Sequence, residues 1–158
     1  MSKKFNQYLG KAGHLTIMSE FLMLGWNVAI PEVDIGDDIF VVQDDNGTLR
    51  RVQVKTAQSS TRKQSFSAQF SVSIKNLRNI SNILVHYIFI VRHKDEWTKP
   101  IIVKQDYLLD NFENNKVGSE AKGTITFYFS YINNKVECSG QDFSKNISDF
   151  SDFPKIKH

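Results

Sequence analysis

Gly36-Asp37-Asp38-Ile39-Phe40-Val41-Val42-Gln43-Asp44-Asp45-Asn46-Gly47-Thr48-Leu49-Arg50-Arg51-Val52-Gln53-Val54-Lys55-Thr56 is the stretch whose reading decides the fold. Residues 38–44 and 49–56 alternate as strands do, and Asp45-Asn46-Gly47 between them signals a hairpin. With Asn46-Gly47 as a two-residue turn, Asp38 falls opposite Lys55. Side chains alternate along a strand, so Asp38, Phe40 and Val42 share a face with Arg51, Gln53 and Lys55. Ile39, Val41, Val52 and Val54 form the other face, which is apolar and belongs against a core. Asp37 has the parity of that apolar side, where an unpaired carboxylate is costly, so it is expected at the exposed end of the strand.

Opposed side chains in such a pair have Cβ atoms about 4.5–5.5 Å apart. Asp38 and Lys55 would then touch, with Gln53 one step away. A carboxylate and an amide oxygen are hard ligands for Mg²⁺, which keeps several waters and shares its shell with phosphate. A lysine beside them orients or deprotonates a water, or stabilises charge at phosphorus. By geometry alone, a cross-strand Asp38–Lys55 ion pair on a solvated face is the favoured reading.

Upstream, residues 11–24 read as a helix. Ile17, Phe21 and Leu24, with Met18 and Leu22 beside them, form its apolar stripe, and Gly25 is the stop signal. Residues 26–30 form a short strand ended by Pro31. Downstream, strands are expected at 65–73, 84–91, 101–103, 124–132 and 135–138, with short helices at 74–80, 105–112 and 141–150. A helix, then antiparallel strands, then mixed elements indicates an α/β or α+β domain with a mixed sheet. No linker or repeat divides 1–158, so a single domain is expected.

The 158 residues suffice for one core, and 41% hydrophobic with 23% charged residues is an ordinary globular composition. A net charge of +3 and a pI of about 8.9 are compatible with an anionic partner without being those of a purely electrostatic binder. Cys138 is the only cysteine, which excludes an intrachain disulfide and a cysteine zinc site and fits a reducing cytoplasm. The lysine-bearing N-terminal stretch has no apolar run behind it, so a secretory leader is not expected, and no apolar run is long enough to span a membrane.

Gly10-Lys11-Ala12-Gly13-His14, the helix, Gly25-Trp26-Asn27-Val28, Gly36-Asp37-Asp38-Ile39 and Val52-Gln53-Val54-Lys55-Thr56 occur in this order over the first third of the chain. The segment resembles the PD-(D/E)XK nuclease superfamily, in particular its small stand-alone bacterial and phage-type members. The resemblance implies a restriction-endonuclease-like mixed sheet flanked by helices and a Mg²⁺- or Mn²⁺-dependent endonuclease acting on DNA. Asp38 would be the metal-binding aspartate, Gln53 the middle ligand and Lys55 the catalytic lysine. Gln53 replaces the commoner acid, as it does in certain homing endonucleases. His14 stands where a helix glutamate is expected. Histidine is a poor Mg²⁺ ligand but binds transition metals readily.

Glu20 is the alternative carboxylate, although six helical residues place it about 120° around and about 9 Å along from His14. A third reading is a catalytically weakened or inactive nuclease fold that binds or assembles on DNA. Lys11, Arg50, Arg62 and Lys63 are the candidate nucleic-acid contacts, with Arg62 and Lys63 in a polar loop past Lys55 and Lys11 just ahead of the helix. Each of these charges alone also reads as an ordinary solvated residue. The phenylalanines of the C-terminal half are expected in the core. A homodimer would match the two-fold symmetry of duplex DNA.

Overall fold

The computed structural model describes residues 2–33 and 36–157, so positions 1, 34, 35 and 158 of the expected domain lie outside the description. The first helix, α1 (Lys3–Met23), starts well before residue 11. Ser2 caps it, its hydroxyl accepting from Phe5 N, and satisfies a donor that the helix itself leaves open. Lys11 is therefore mid-helix and not at an anion-attracting N-terminus. Ile17 and Phe21 are fully buried, with Met18 and Leu24 packed beside them, whereas Leu22 is exposed.

β1 (Asn27–Ala29), β2 (Ile39–Val42) and β3 (Leu49–Gln58) form an antiparallel meander. β4 (Ser60–Arg62), where a polar loop is expected, forms a hairpin with β5 (Ser65–Ser73), and α2 (Ile74–Arg78) follows. β6 (Val85–His93) returns parallel to β3, the crossover that parallel pairing requires being supplied by β4, β5 and α2. β7 (Glu96–Trp97) and β8 (Ile101–Lys104) both pair with β6. After α3 (Gln105–Asn115) come β9 (Ser119–Ala121), β10 (Thr124–Ile132), β11 (Lys135–Cys138) and β12 (Gln141–Asp142).

Among the described residues the strands form two six-stranded sheets. The first is mixed, in the order β1-β2-β3-β6-β7 with β8 also on β6. The second is antiparallel, in the order β12-β11-β10-β5-β4 with β9 also on β10. The protein is thus an α+β chain whose mixed sheet is flanked by helices. No helix among the described residues is long and apolar enough to cross a membrane.

The first hairpin departs from its expected register. Its loop has four residues, 44–47, closed by Gln43 N donating to Thr48 O at 2.9 Å. Phe40 consequently faces Arg51 and Ile39 faces Val52. The shift is an even number of residues, so the faces keep their composition. Asp38 is no longer opposite Lys55.

β6 is buried along nearly its whole length and divides its side chains between two cores, as a strand covered on both faces must. Ile88 and Ile90 join Ile39, Val41, Val52 and Val54 beneath α1. Tyr87, Phe89 and Val91 pack against the inner face of the second sheet, including Phe70, Phe127 and Phe129.

The tail is not the helix expected over 141–150. A single 3₁₀ turn spans Ser144–Asn146, and the following segment straps the α1 side of the sheet. Phe153 is fully buried, its ring tilted against Phe21 and edge-on to Trp26, while Trp26 Nε1 donates to Pro154 O at 2.9 Å. Asp152 accepts from His86 Nε2 at 2.9 Å and pairs with Lys104 Nζ at 3.0 Å.

His86 Nδ1 is buried with no hydrogen-bond partner among the described residues, so a second ring proton would have no acceptor. Burial accordingly holds the His86 pKa below its ordinary 6.5 despite the neighbouring carboxylate. Between the folded and unfolded pKa values the unfolded chain binds more protons, so stability is lost as pH falls below 6.5. We expect the urea midpoint to drop between pH 6.5 and roughly 5, and the drop to be smaller in His86→Gln, measured by circular dichroism.

Candidate metal and phosphodiester site

β2 ends before β3 does, and Asp38 sits where the shorter strand begins. Its N–H donates to Val52 O at 2.9 Å, and its Oδ2 accepts from Val54 N at 2.7 Å. Asp38 thus grips β3 on both sides of Gln53. Gln53 is buried, and Lys55 follows two residues along on the same face. Across the parallel pair, Gln53 lies beside Tyr87 and Lys55 beside Phe89.

α1 packs on the opposite, Val52–Val54 face of the sheet. The two faces meet at the open edge of β3, where His14 Nε2 stands 3.7 Å from Asp38 Oδ2. The side chains retain 27% and 18% of their exposure, so solvent reaches both.

Gly13 explains the close seating of the helix. A Cβ there would overlap Thr56 Oγ1 on β3. The helix lead-in therefore reflects packing, one residue ahead of the imidazole.

Asp37 differs from expectation. It is 3% exposed, and its Oδ2 accepts from Arg51 Nε at 2.9 Å. Arg51 also donates to Ser81 Oγ and Ile83 O, joining the hairpin to the loop ahead of β6. Asp37 precedes the strand, so strand parity does not govern it. Gly36 makes this turn possible: its φ is +106°, and a Cβ would fall 2.6 Å from Asn76 Nδ2. Burial first, then the Asp37 charge, pushes the Tyr87 phenol up to about 12. The sequence reading missed this strut; Arg51, on the strand facing the aspartates, was its available signal.

The remaining candidates divide. Lys11 is exposed on α1, three residues ahead of His14 and on the same side of the helix. Glu20 is exposed less than two turns further along α1. Arg50 lies on the opposite face of β3 from Gln53, and its charge helps to lower the His86 pKa. Arg62 donates to Tyr128 Oη at 3.4 Å, and Lys63 is exposed in the β4–β5 turn.

Among the described residues, no three His, Cys, Asp or Glu side chains gather as a metal cluster. His14 and Asp38 are the two donors the structure brings together at this edge, and Gln53 stands on β3 between the two backbone groups that Asp38 bonds.

No family model and no curated protein matches the chain. Among solved structures, it is similar to a bacterial homing endonuclease, I-Ssp6803I, at 16% identity with a TM-score of 0.45, over 80% of this chain and 74% of that one.

Arg51→Ala would leave the Asp37 carboxylate buried and unpaired. We expect a destabilisation on the order of 3 kcal/mol, read from urea unfolding. Most of it should be recovered when Asp37→Asn is added.

Proposed function

We propose that the protein is a metal-dependent endonuclease that hydrolyses phosphodiester bonds in DNA. One observation carries the reading: Asp38 is anchored to the backbone on both sides of Gln53 while His14 faces its carboxylate from α1. Lys55 is next on the same face of β3. The resemblance of Gly36-Asp37-Asp38 and Gln53-Val54-Lys55 to the PD-(D/E)XK motifs supports the same assignment.

The donors fit a divalent ion of a particular kind. One imidazole nitrogen, one carboxylate and one amide oxygen suit Mn²⁺ or another transition metal better than Mg²⁺, which favours oxygen alone. His14, Asp38 and Gln53 would hold the ion, which when bound supplies Lewis-acid polarisation of the phosphate. Lys55 orients the attacking water and offsets the negative charge that develops at phosphorus. The Val54 N–H bond fixes one Asp38 oxygen before substrate arrives, so that carboxylate is already oriented.

A second reading is favoured by the imidazole itself. His14 occupies the position at which the resemblance expects a second carboxylate, and a protein so altered could bind DNA without turnover.

A plasmid-nicking assay separates the two. We expect cleavage with Mn²⁺ to exceed that with Mg²⁺, and Lys55→Ala to lose on the order of 100-fold or more. His14→Glu should raise the Mg²⁺-supported rate. Absence of cleavage with either ion, together with no metal binding by calorimetry, would sink the endonuclease reading. Duplex binding that survives in that case selects the second one.

A further inference from the structure

We propose that a cavity between the β7–β8 connection and the β10–β11 hairpin binds a small organic oxyanion with an apolar body. Lys99 and Lys135 hold its charge, and one of its oxygens accepts from the Tyr131 hydroxyl. The cavity has a volume of about 700 Å³, within the roughly 300–1,000 Å³ usual for small-molecule sites. None of His14, Asp38, Gln53 and Lys55 lines it, so the inference stands apart from the endonuclease reading.

The wall is built from both sheets. Tyr131 lies on the inward side of β10, paired with Phe66 on β5 and Val136 on β11. Phe66 stands between two rings, its centroid 4.5 Å from Tyr131 at an interplanar angle of 9° and 3.9 Å from His93 on β6 at 14°. His93 Nδ1 and Ser59 Oγ, 2.9 Å apart, hold the far end of this stack. Ile147, joined to Ile101 by a β-bridge, adds an aliphatic wall. At the rim, Asn133 and Asn134 make the two-residue turn that sets Lys135 opposite Ile132. A wall fixed in this way before a ligand arrives lowers the cost of binding one.

Three features define the occupant. The Tyr131 hydroxyl is buried and has no hydrogen-bond partner among the described residues. Burial pushes its pKa well above the ordinary 10, so it stays a donor at neutral pH. A buried donor without an acceptor is costly, and an oxygen of a bound molecule removes that cost. Lys99 and Lys135 are the second feature. Both line the cavity, and neither forms an ion pair among the described residues. No carboxylate lines it, and the nearby Asp142 bonds Ser144 instead. The third feature is the apolar wall of Phe66, Tyr131, Val136 and Ile147. An inorganic anion would leave that wall uncovered, and a hydrocarbon would leave the lysines and the phenol unmet. An organic oxyanion satisfies all three.

The test is a fluorescence titration of the full chain with anilinonaphthalene sulfonate, an aromatic oxyanion that brightens in an apolar site. We expect a single saturable site. Lys99→Gln with Lys135→Gln should weaken it at least about fivefold. Tyr131→Phe keeps the ring and should weaken it about tenfold. Misfolding raises the fluorescence of this dye, so neither loss can come from an unfolded variant. Phenylnaphthylamine, the same rings without the sulfonate, should bind wild type and the Lys99/Lys135 pair equally. Lys3→Gln with Lys4→Gln, exposed on α1, should leave sulfonate affinity unchanged. Wild-type sulfonate affinity in the Lys99/Lys135 pair or in Tyr131→Phe overturns the inference. So do equal losses in the Lys3/Lys4 pair, or a wild-type protein that takes up no dye. Displacement of the dye by a DNA duplex overturns it in favour of a nucleic-acid surface. The plasmid-nicking assay is decided separately by each of its own outcomes.

Discussion

The mismatch in length between β2 and β3 organises this molecule. β3 runs to Gln58, and β2 covers it only from Leu49 to Val52. Beyond that point the β3 edge needs partners other than a strand, because buried backbone donors must be satisfied. Asp38 supplies one of them by accepting from Val54 N. α1 covers the adjoining face, held close by the absence of a side chain at Gly13 against Thr56. The polar edge that results is a consequence of strand termination, and it lies where two faces of the sheet become accessible together.

The two adjacent aspartates show how one turn separates structural from chemical roles. Asp37 turns inward to Arg51 and stiffens the route from the hairpin to β6. Asp38 turns to the open edge, where solvent reaches it. Gly36 allows the chain to bend just before them. A buried, paired carboxylate resists change, whereas a half-exposed one can exchange partners with solvent or a ligand.

Much of this was legible in the alternation of residue types. β5 and β10 were read with their observed bounds, because apolar positions alternate through both. The faces of the first hairpin were also right, although its register was not. Asn46-Gly47 carries the signal of a two-residue turn. Instead, the Asn46 side chain bonds Gln43 and the Thr48 N–H, closing a four-residue loop. The tail misled for a similar reason. Phe143 and Phe150 suggest helical packing, but Asp142 Oδ1 accepts from Ser144 N and Asn146 reaches across to Ile102 O. Such local side-chain bonds compete with helix formation. β4 could not be seen, since Ser60-Thr61-Arg62 has no apolar alternation and is recruited by its neighbour β5.

The residue at position 14 carries the largest consequence for the site. A carboxylate there would face Asp38 across a gap like the 3.7 Å now spanned from the imidazole. Two carboxylates about 4 Å apart repel by about 4 kcal/mol at an effective dielectric of 20, so such a pair depends on a cation to stay assembled. Histidine removes that repulsion when neutral and reverses it when protonated. The edge around Asp38 can therefore hold its shape without an ion. In the proposed metal site, histidine at this position would trade affinity for Mg²⁺ against stability of the empty site, and the nitrogen-containing donor set would suit softer divalent ions.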